Sequence, residues 1–190
     1  MNRHIKIFLC LAACFFYYLN ASSQTANTKH ATVTIEDIEY LNSDGLDFSP
    51  TFYREGIVFV SSRNKDRKVD DKINEPFFDL FFADLGNSGT PGPPQQFSLK
   101  INSEYHEGPV SFNRAGDKIF FTRNNLNEKG KPIPSSEGTV KMKIYEADKG
   151  ASEWENIREL PFNSKEYSCI HPTLDANNKR LYFASDMPGG

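Results

Sequence analysis

Asn42-Ser43 … Pro50, followed by Ile57-Val58-Phe59-Val60-Ser61-Ser62-Arg63, decides the fold, because the chain says it again. It returns as Asn102-Ser103 … Pro109 with Ile119-Phe120-Phe121-Thr122-Arg123, and as Asn163-Ser164 … Pro172 with Leu181-Tyr182-Phe183-Ala184-Ser185-Asp186. The Asn-Ser pairs are spaced by 60 and then 61 residues. A steady period of this size with strand-forming content indicates repeated sheets in a propeller or array.

Each unit reads as four short strands. In the first these are Thr51–Arg54, Ile57–Ser62, Phe77–Asp84 and Gln96–Leu99, with Glu55-Gly56 as a tight turn. The second offers Val110–Phe112, Lys118–Thr122, Lys143–Asp148 and Asn156–Leu160. β-branched and aromatic residues fill the runs, and Gly, Asn, Asp and Pro punctuate them. No segment carries a helical period, so the fold class is all-β. Pro50, Pro109 and Pro172 are expected at strand starts, where a missing ladder donor is tolerated. The Asn-Ser pairs are expected to form turns through their side chains.

Before the first unit, Val33–Leu41 stands where Gln96–Ile101 stands before the second pair, and reads as an outer strand without its own first three. The expected division is a signal peptide over 1–23, a linker over 24–32 and a partial β-propeller over 33–190. Inside the propeller lie an outer strand (33–43), two four-stranded blades (44–103 and 104–164) and a half blade (165–190). Propellers hold about 4 to 8 blades, so the ring does not close on this inventory. The expectation is the N-terminal part of a longer protein, or a chain completed by a partner.

The signal peptide rests on Arg3 and Lys6, the apolar run Ile7–Leu19 and the small residues Ala21-Ser22-Ser23. That run is shorter than the roughly 20 residues a spanning helix needs, so the mature chain carries no transmembrane segment. An alternative takes Leu11-Ala12-Ala13-Cys14 as a lipobox, against which Phe15-Phe16-Tyr17-Tyr18 continues the apolar run. Removal of the signal leaves Cys169 as the remaining cysteine, without an intramolecular disulfide. It also leaves 20 basic against 25 acidic residues, an acidic balance that argues against nucleic-acid binding.

The chemistry-bearing candidates are few. Two long loops, Asn64–Pro76 and Asn124–Val140, occupy the same place in consecutive units and are expected on one face, where binding sits on rigid scaffolds. The first carries Lys65, Arg67, Lys68 and Lys72 among Asp66, Asp70 and Asp71. Those carboxylates suit calcium in type, but the EF-hand spacing is absent and the lysines repel a cation. Asp84 and Asp148 are expected to bond turn backbone. His106-Glu107 and His171 are polar loop residues without a nucleophile beside them. Ser61, Ser62 and Ser185 recur by repeat logic, Trp154 packs between blades, and Cys169 fills core. No catalytic fingerprint or phosphate loop appears. The catalytic, cofactor-binding and metal-ligating sets are therefore none.

Asp47-Phe48-Ser49-Pro50-Thr51-Phe52-Tyr53, Asp79-Leu80-Phe81, Glu107-Gly108-Pro109-Val110, His171-Pro172-Thr173-Leu174 and Pro188-Gly189-Gly190 carry a family resemblance. With the second strands of the units they resemble TolB-type, WD-repeat-like propeller repeats, and more narrowly those of exported OmpA-family proteins of Gram-negative envelopes. The resemblance covers Thr34–Gly190. It implies a periplasmic or outer-membrane location; some relatives belong to type IX secretion machinery. Relatives often add helical repeats before the propeller and a peptidoglycan-binding domain after it. That last role is not carried over, since none of its residues is present. The expected function is a non-catalytic exported scaffold binding envelope proteins or the remaining blades of its own propeller. The alternative is the propeller domain of a hydrolase, prolyl-oligopeptidase-like or sugar-active, whose catalytic part is absent from this chain.

Overall fold

A computed structural model describes residues 33, 35, 37–87 and 89–189. The signal peptide expected over 1–23 and the linker expected over 24–32 lie outside the described residues. The chain divides into Met1–Asp37 and Ile38–Gly190, and every element below belongs to the second unit. The described residues are all-β with antiparallel pairing. No helix among them is long and apolar enough to cross a membrane.

Two four-stranded meanders follow one another. The first joins β1 (Asp47–Tyr53), β2 (Gly56–Ser61), β5 (Asp79–Asp84) and β6 (Gln95–Gln96) in that order. The second joins β7 (Glu107–Phe112), β8 (Lys118–Asn124), β9 (Met142–Lys149) and β10 (Trp154–Glu159) in the same sense. A hairpin of β11 (Cys169–Leu174) and β12 (Leu181–Ser185) comes third. A small hairpin of β3 (Val69–Asp70) and β4 (Glu75–Pro76) lies inside the first long loop. The sheets correspond pair by pair. Phe52↔Ile57, Ile57↔Ala83 and Phe59↔Phe81 in the first match Phe112↔Ile119, Ile119↔Ala147 and Phe121↔Tyr145 in the second.

The prolines correct one expectation. β1, β7 and β11 begin at Asp47, Glu107 and Cys169, ahead of Pro50, Pro109 and Pro172. The register shifts between Phe48 and Thr51, between Glu107 and Val110, and between Ile170 and Thr173. Each proline therefore sits in a bulge, where the extra residue leaves the ladder and a missing N–H costs nothing. Ser49 and His171, just before two of the prolines, take φ of 53° and 57°.

The repeated Asn-Ser pair divides its labour. Ser43, Ser103 and Ser164 each accept the N–H two residues on, from Gly45, Tyr105 and Glu166, as turn-forming hydroxyls do. The asparagines act across the sheet instead. Asn102 takes the Leu80 N–H on Oδ1 (2.9 Å) and donates Nδ2 to the Leu80 C=O (3.0 Å). Asn163 does the same to Ile144 (3.0 and 2.7 Å). A side-chain amide thus stands in for a ladder residue beside the third strand of each sheet. The fourth strand of the first sheet is Gln95–Gln96 and not Gln96–Leu99; that of the second, beside the same asparagine device, is the six-residue Trp154–Glu159 and not Asn156–Leu160.

The core lies between the meanders. The leading face of the first sheet (Tyr53, Val58, Val60, Leu80) meets the trailing face of the second (Ile119, Phe121, Tyr145, Ala147). The valine, leucine, isoleucine and phenylalanine side chains among them each contribute about 1.5–3 kcal/mol by leaving water. Tyr53 stacks on Phe112 at 4.2 Å, and Trp154, 1 % exposed, packs against Tyr53, Phe97 and Phe112. The third hairpin joins the leading side of the second sheet, where Leu174 N–H donates to Ser111 Oγ (3.0 Å) and His171 N–H to Thr122 Oγ1 (3.2 Å).

The outer strand expected over 33–43 is a second difference. No described residue of that stretch is in a strand, and Leu41 and Asn42 N–H both bond the Ile38 C=O in a turn. Among the described residues no strand is placed to pair with it, and an unpaired strand leaves its amides and carbonyls without a ladder.

Candidate functional site

The two long loops leave the second strand of one sheet and enter the third, at the same end of consecutive sheets. Each is built from local hydrogen bonds. In the first, Asp70 Oδ1 accepts the Lys72 N–H (3.0 Å), and the Asp70 C=O accepts from Ile73 and Asn74. In the second, buried Asn125 bonds Lys141 C=O through its N–H and Ile133 C=O through Nδ2. Asn127 Oδ1 accepts from both Lys129 and Lys131. Asparagine and aspartate side chains holding nearby backbone explain why such polar stretches adopt one shape.

Between the loops opens a cleft of about 300 Å³. Asp70 and Lys72 come from the first loop, Pro132 and Val140 from the second, with Phe77, Tyr105, His106 and Met142 as walls and floor. Phe77 meets Tyr105 edge-on at 5.2 Å and His106 at 4.6 Å. The wall is apolar and aromatic, with an acid and a base at the rim.

His106 is committed on both nitrogens. Phe78 N–H donates to Nδ1 (3.1 Å), which places the proton on Nε2, and Nε2–H donates to Asp70 Oδ2 (2.9 Å). Burial holds its pKa below the ordinary histidine value, against the opposing pull of Asp70. Asp70 lies below the ordinary carboxylate value, chiefly through that same bond. The pair ties the first loop to the start of β7 and leaves neither ring nitrogen facing a substrate.

Beneath the cleft lies a charge cluster that sequence reading did not find. Glu107, fully buried, meets Arg123 at 3.2 Å, and its Oε2 accepts the Ser103 N–H at 2.9 Å. Asp79, 1 % exposed, meets Arg67 of the first loop at 3.1 Å, an ion pair outside hydrogen-bond geometry. Arg67 also donates to the Ser103 C=O, and Arg123 to the Ile101 C=O. Burial pushes Glu107 up to about 7 despite Arg123, and raises Asp79 despite Arg67. The first sheet carries a more exposed version. Ser43 and Ser61 donate to Asp47, and Arg63 meets it at 2.8 Å. Arg63 lies over Phe59 and Phe81 as Arg123 lies over Phe121 and Tyr145. A signal was present: Ser43/Ser103, Asp47/Glu107 and Arg63/Arg123 are each 60 residues apart.

The remaining candidates fall elsewhere. Asp66 donates its N–H to Asn64 Oδ1, and Asp70 is occupied as described. Asp84 Oδ1 accepts the Gly86 N–H, the turn role expected. Asp148 differs: Lys118 (2.5 Å) and then Arg158 (3.0 Å) hold its carboxyl down at about 2. His171 lies in the bulge of β11, and Glu107 is core, not loop. Ser61 Oγ donates to Asp47, Ser62 Oγ to Glu75, and Ser185 Oγ to the Ser168 C=O. Cys169 is buried beside Ser185, and burial raises its thiol. Trp154 packs between the sheets, as read.

Comparison with known proteins finds no matching family model, no matching curated protein and no matching solved structure.

Proposed function

We propose that the sheets are successive blades of a TolB-like β-propeller segment. In this reading the chain is a non-catalytic, exported protein-interaction scaffold of a Gram-negative envelope, the N-terminal part of an OmpA-family-like protein. The observation that carries the interaction role is the convergence of two equivalent loops on one apolar-walled cleft. Loops fixed on a rigid sheet and walled by aromatics suit a partner side chain better than a reaction. The binder is an extended segment of an envelope protein that inserts one apolar side chain between Phe77 and Met142.

Affinity capture from envelope extract tests it, with Met142→Arg as the comparison, since an arginine there fills the cleft. One partner retained by wild type and lost by M142R is the expected result. Equal capture by the two forms contradicts the cleft as the contact.

A further inference from the structure

At the end of the sheets away from the long loops, a hollow of about 200 Å³ opens between the first sheet and the second. Its floor is aromatic. Phe97 and Trp154 meet Tyr53 at 5.7 and 6.0 Å, and Phe82 meets it edge-on at 6.4 Å. Tyr53 OH donates to the Gly116 C=O at 3.3 Å, which fixes the ring. The lip is cationic: Arg54 Cζ stands 5.3 Å from the centre of the Tyr53 ring, and Lys149 Nζ stands 5.5 Å from that of Trp154. Among the described residues neither cation forms an ion pair, and no carboxylate lines the hollow. Glu153, which feels the Lys149 charge, is held instead by Ser98 Oγ (2.6 Å) and the Leu99 N–H (3.1 Å).

The repeat does not call for this arrangement. Phe82 and its strand partner Gln95 correspond to Glu146 and its partner Arg158 in the second sheet. There the two residues form an ion pair at 2.7 Å, and Lys118 approaches Glu146 at 3.6 Å. The first sheet puts a half-buried ring and an exposed neutral amide in their place. Two cations are left facing apolar surface with no counter-charge among the lining groups. Both walls belong to four-stranded sheets described throughout, so the hollow is bounded by neighbours on either side.

We propose that this hollow binds a small arylcarboxylate, its ring against Phe82 and Phe97 and its carboxylate between Arg54 and Lys149. Ligand pockets usually hold roughly 300–1,000 Å³, so a hollow of about 200 Å³ admits one ring with a short substituent. Aromatic walls favour a ring packed edge-on or offset against them. The planar fork of an arginine takes both oxygens of a carboxylate, and a lysine adds a point charge. Gln95 supplies a neutral donor at the lip. The site lies at the opposite end of the sheets from the cleft and does not depend on it.

Trp154 is the single tryptophan of the chain, so indole emission reports on the site directly. The test titrates the full chain with phenylacetate, with phenylacetamide (ring without charge) and acetate (charge without ring) as comparisons, and repeats each titration by calorimetry. Phenylacetate is expected to bind saturably, and each comparison compound to bind weaker by about tenfold or more. Arg54→Gln and Lys149→Gln each weaken phenylacetate by about tenfold. Gln95→Glu, at an exposed position outside the core, abolishes binding by setting a carboxylate among the cations. Lys129→Gln removes the same charge from an exposed site in the second long loop and leaves binding unchanged. Phenylacetamide that binds as tightly as phenylacetate overturns the cations as the recognising groups, and acetate that does so overturns the aromatic floor. Phenylacetate that fails to saturate, or that binds Q95E as tightly as wild type, overturns the site.

Discussion

Replacing Glu107 by glutamine tests the buried charge cluster through its pH dependence. A carboxylate with an ordinary value of 4.5 that is pushed up to about 7 has gained its proton affinity by losing water. The folded state therefore holds the proton longer than the unfolded chain does. Its stabilising contribution is complete below 4.5 and is lost as pH rises through about 7. The rise from 4.5 to about 7 corresponds to roughly 3 kcal/mol, at about 1.4 kcal/mol for each tenfold change in proton affinity. Glutamine keeps the shape and cannot ionise. Urea unfolding of wild type and E107Q at a series of pH values isolates the effect from the other carboxylates, several of which shift the opposite way. Relative to wild type, E107Q is expected to gain about 3 kcal/mol between pH 4.5 and pH values above 7. A difference that stays flat over that range, or falls, refutes burial as the dominant influence on Glu107.

Further predictions follow from single contacts. Asn102→Ala strands the buried Leu80 N–H, at a cost of about 1–3 kcal/mol in urea midpoint shift; Asn102→Asp keeps the acceptor and loses less. Trp154→Ala opens a cavity between the sheets and lowers stability by about 3–5 kcal/mol, which calorimetry reads directly. His106 is expected to titrate below the usual 6.5, with the proton on Nε2 at neutral pH; nitrogen-15 shifts of the ring report the midpoint and the tautomer.

The repeat was legible because strand content and turn residues are local properties, so a 60-residue step survives in one dimension. Strand order, the paired loops and the packing of Trp154 followed from it. The prolines were misplaced within their strands because a bulge is a mismatch between two strands, and neither strand shows it alone. The role of Asn102 was hidden for a similar reason: its partner, Leu80, lies 22 residues away. Arg67, Asp79, Glu107 and Arg123 come from four separate elements, so sheet packing alone reveals that they meet. For Glu107 and Arg123, their spacing from Ser103 and its echo at Ser43, Asp47 and Arg63 were the sign in the sequence; Arg67 and Asp79 have no such echo.

The cleft between the loops is the central claim, and site-specific photocrosslinking tests it most directly. A photoreactive side chain at Val140, on the cleft wall, is expected to give one discrete adduct in envelope extract. Unlabelled wild type should compete for that adduct and M142R should not. The same group at Asp117, in the turn at the opposite end of the second sheet, should give none. Adducts of equal yield and pattern at Val140 and Asp117, or an adduct that M142R competes away as well as wild type does, contradict the account.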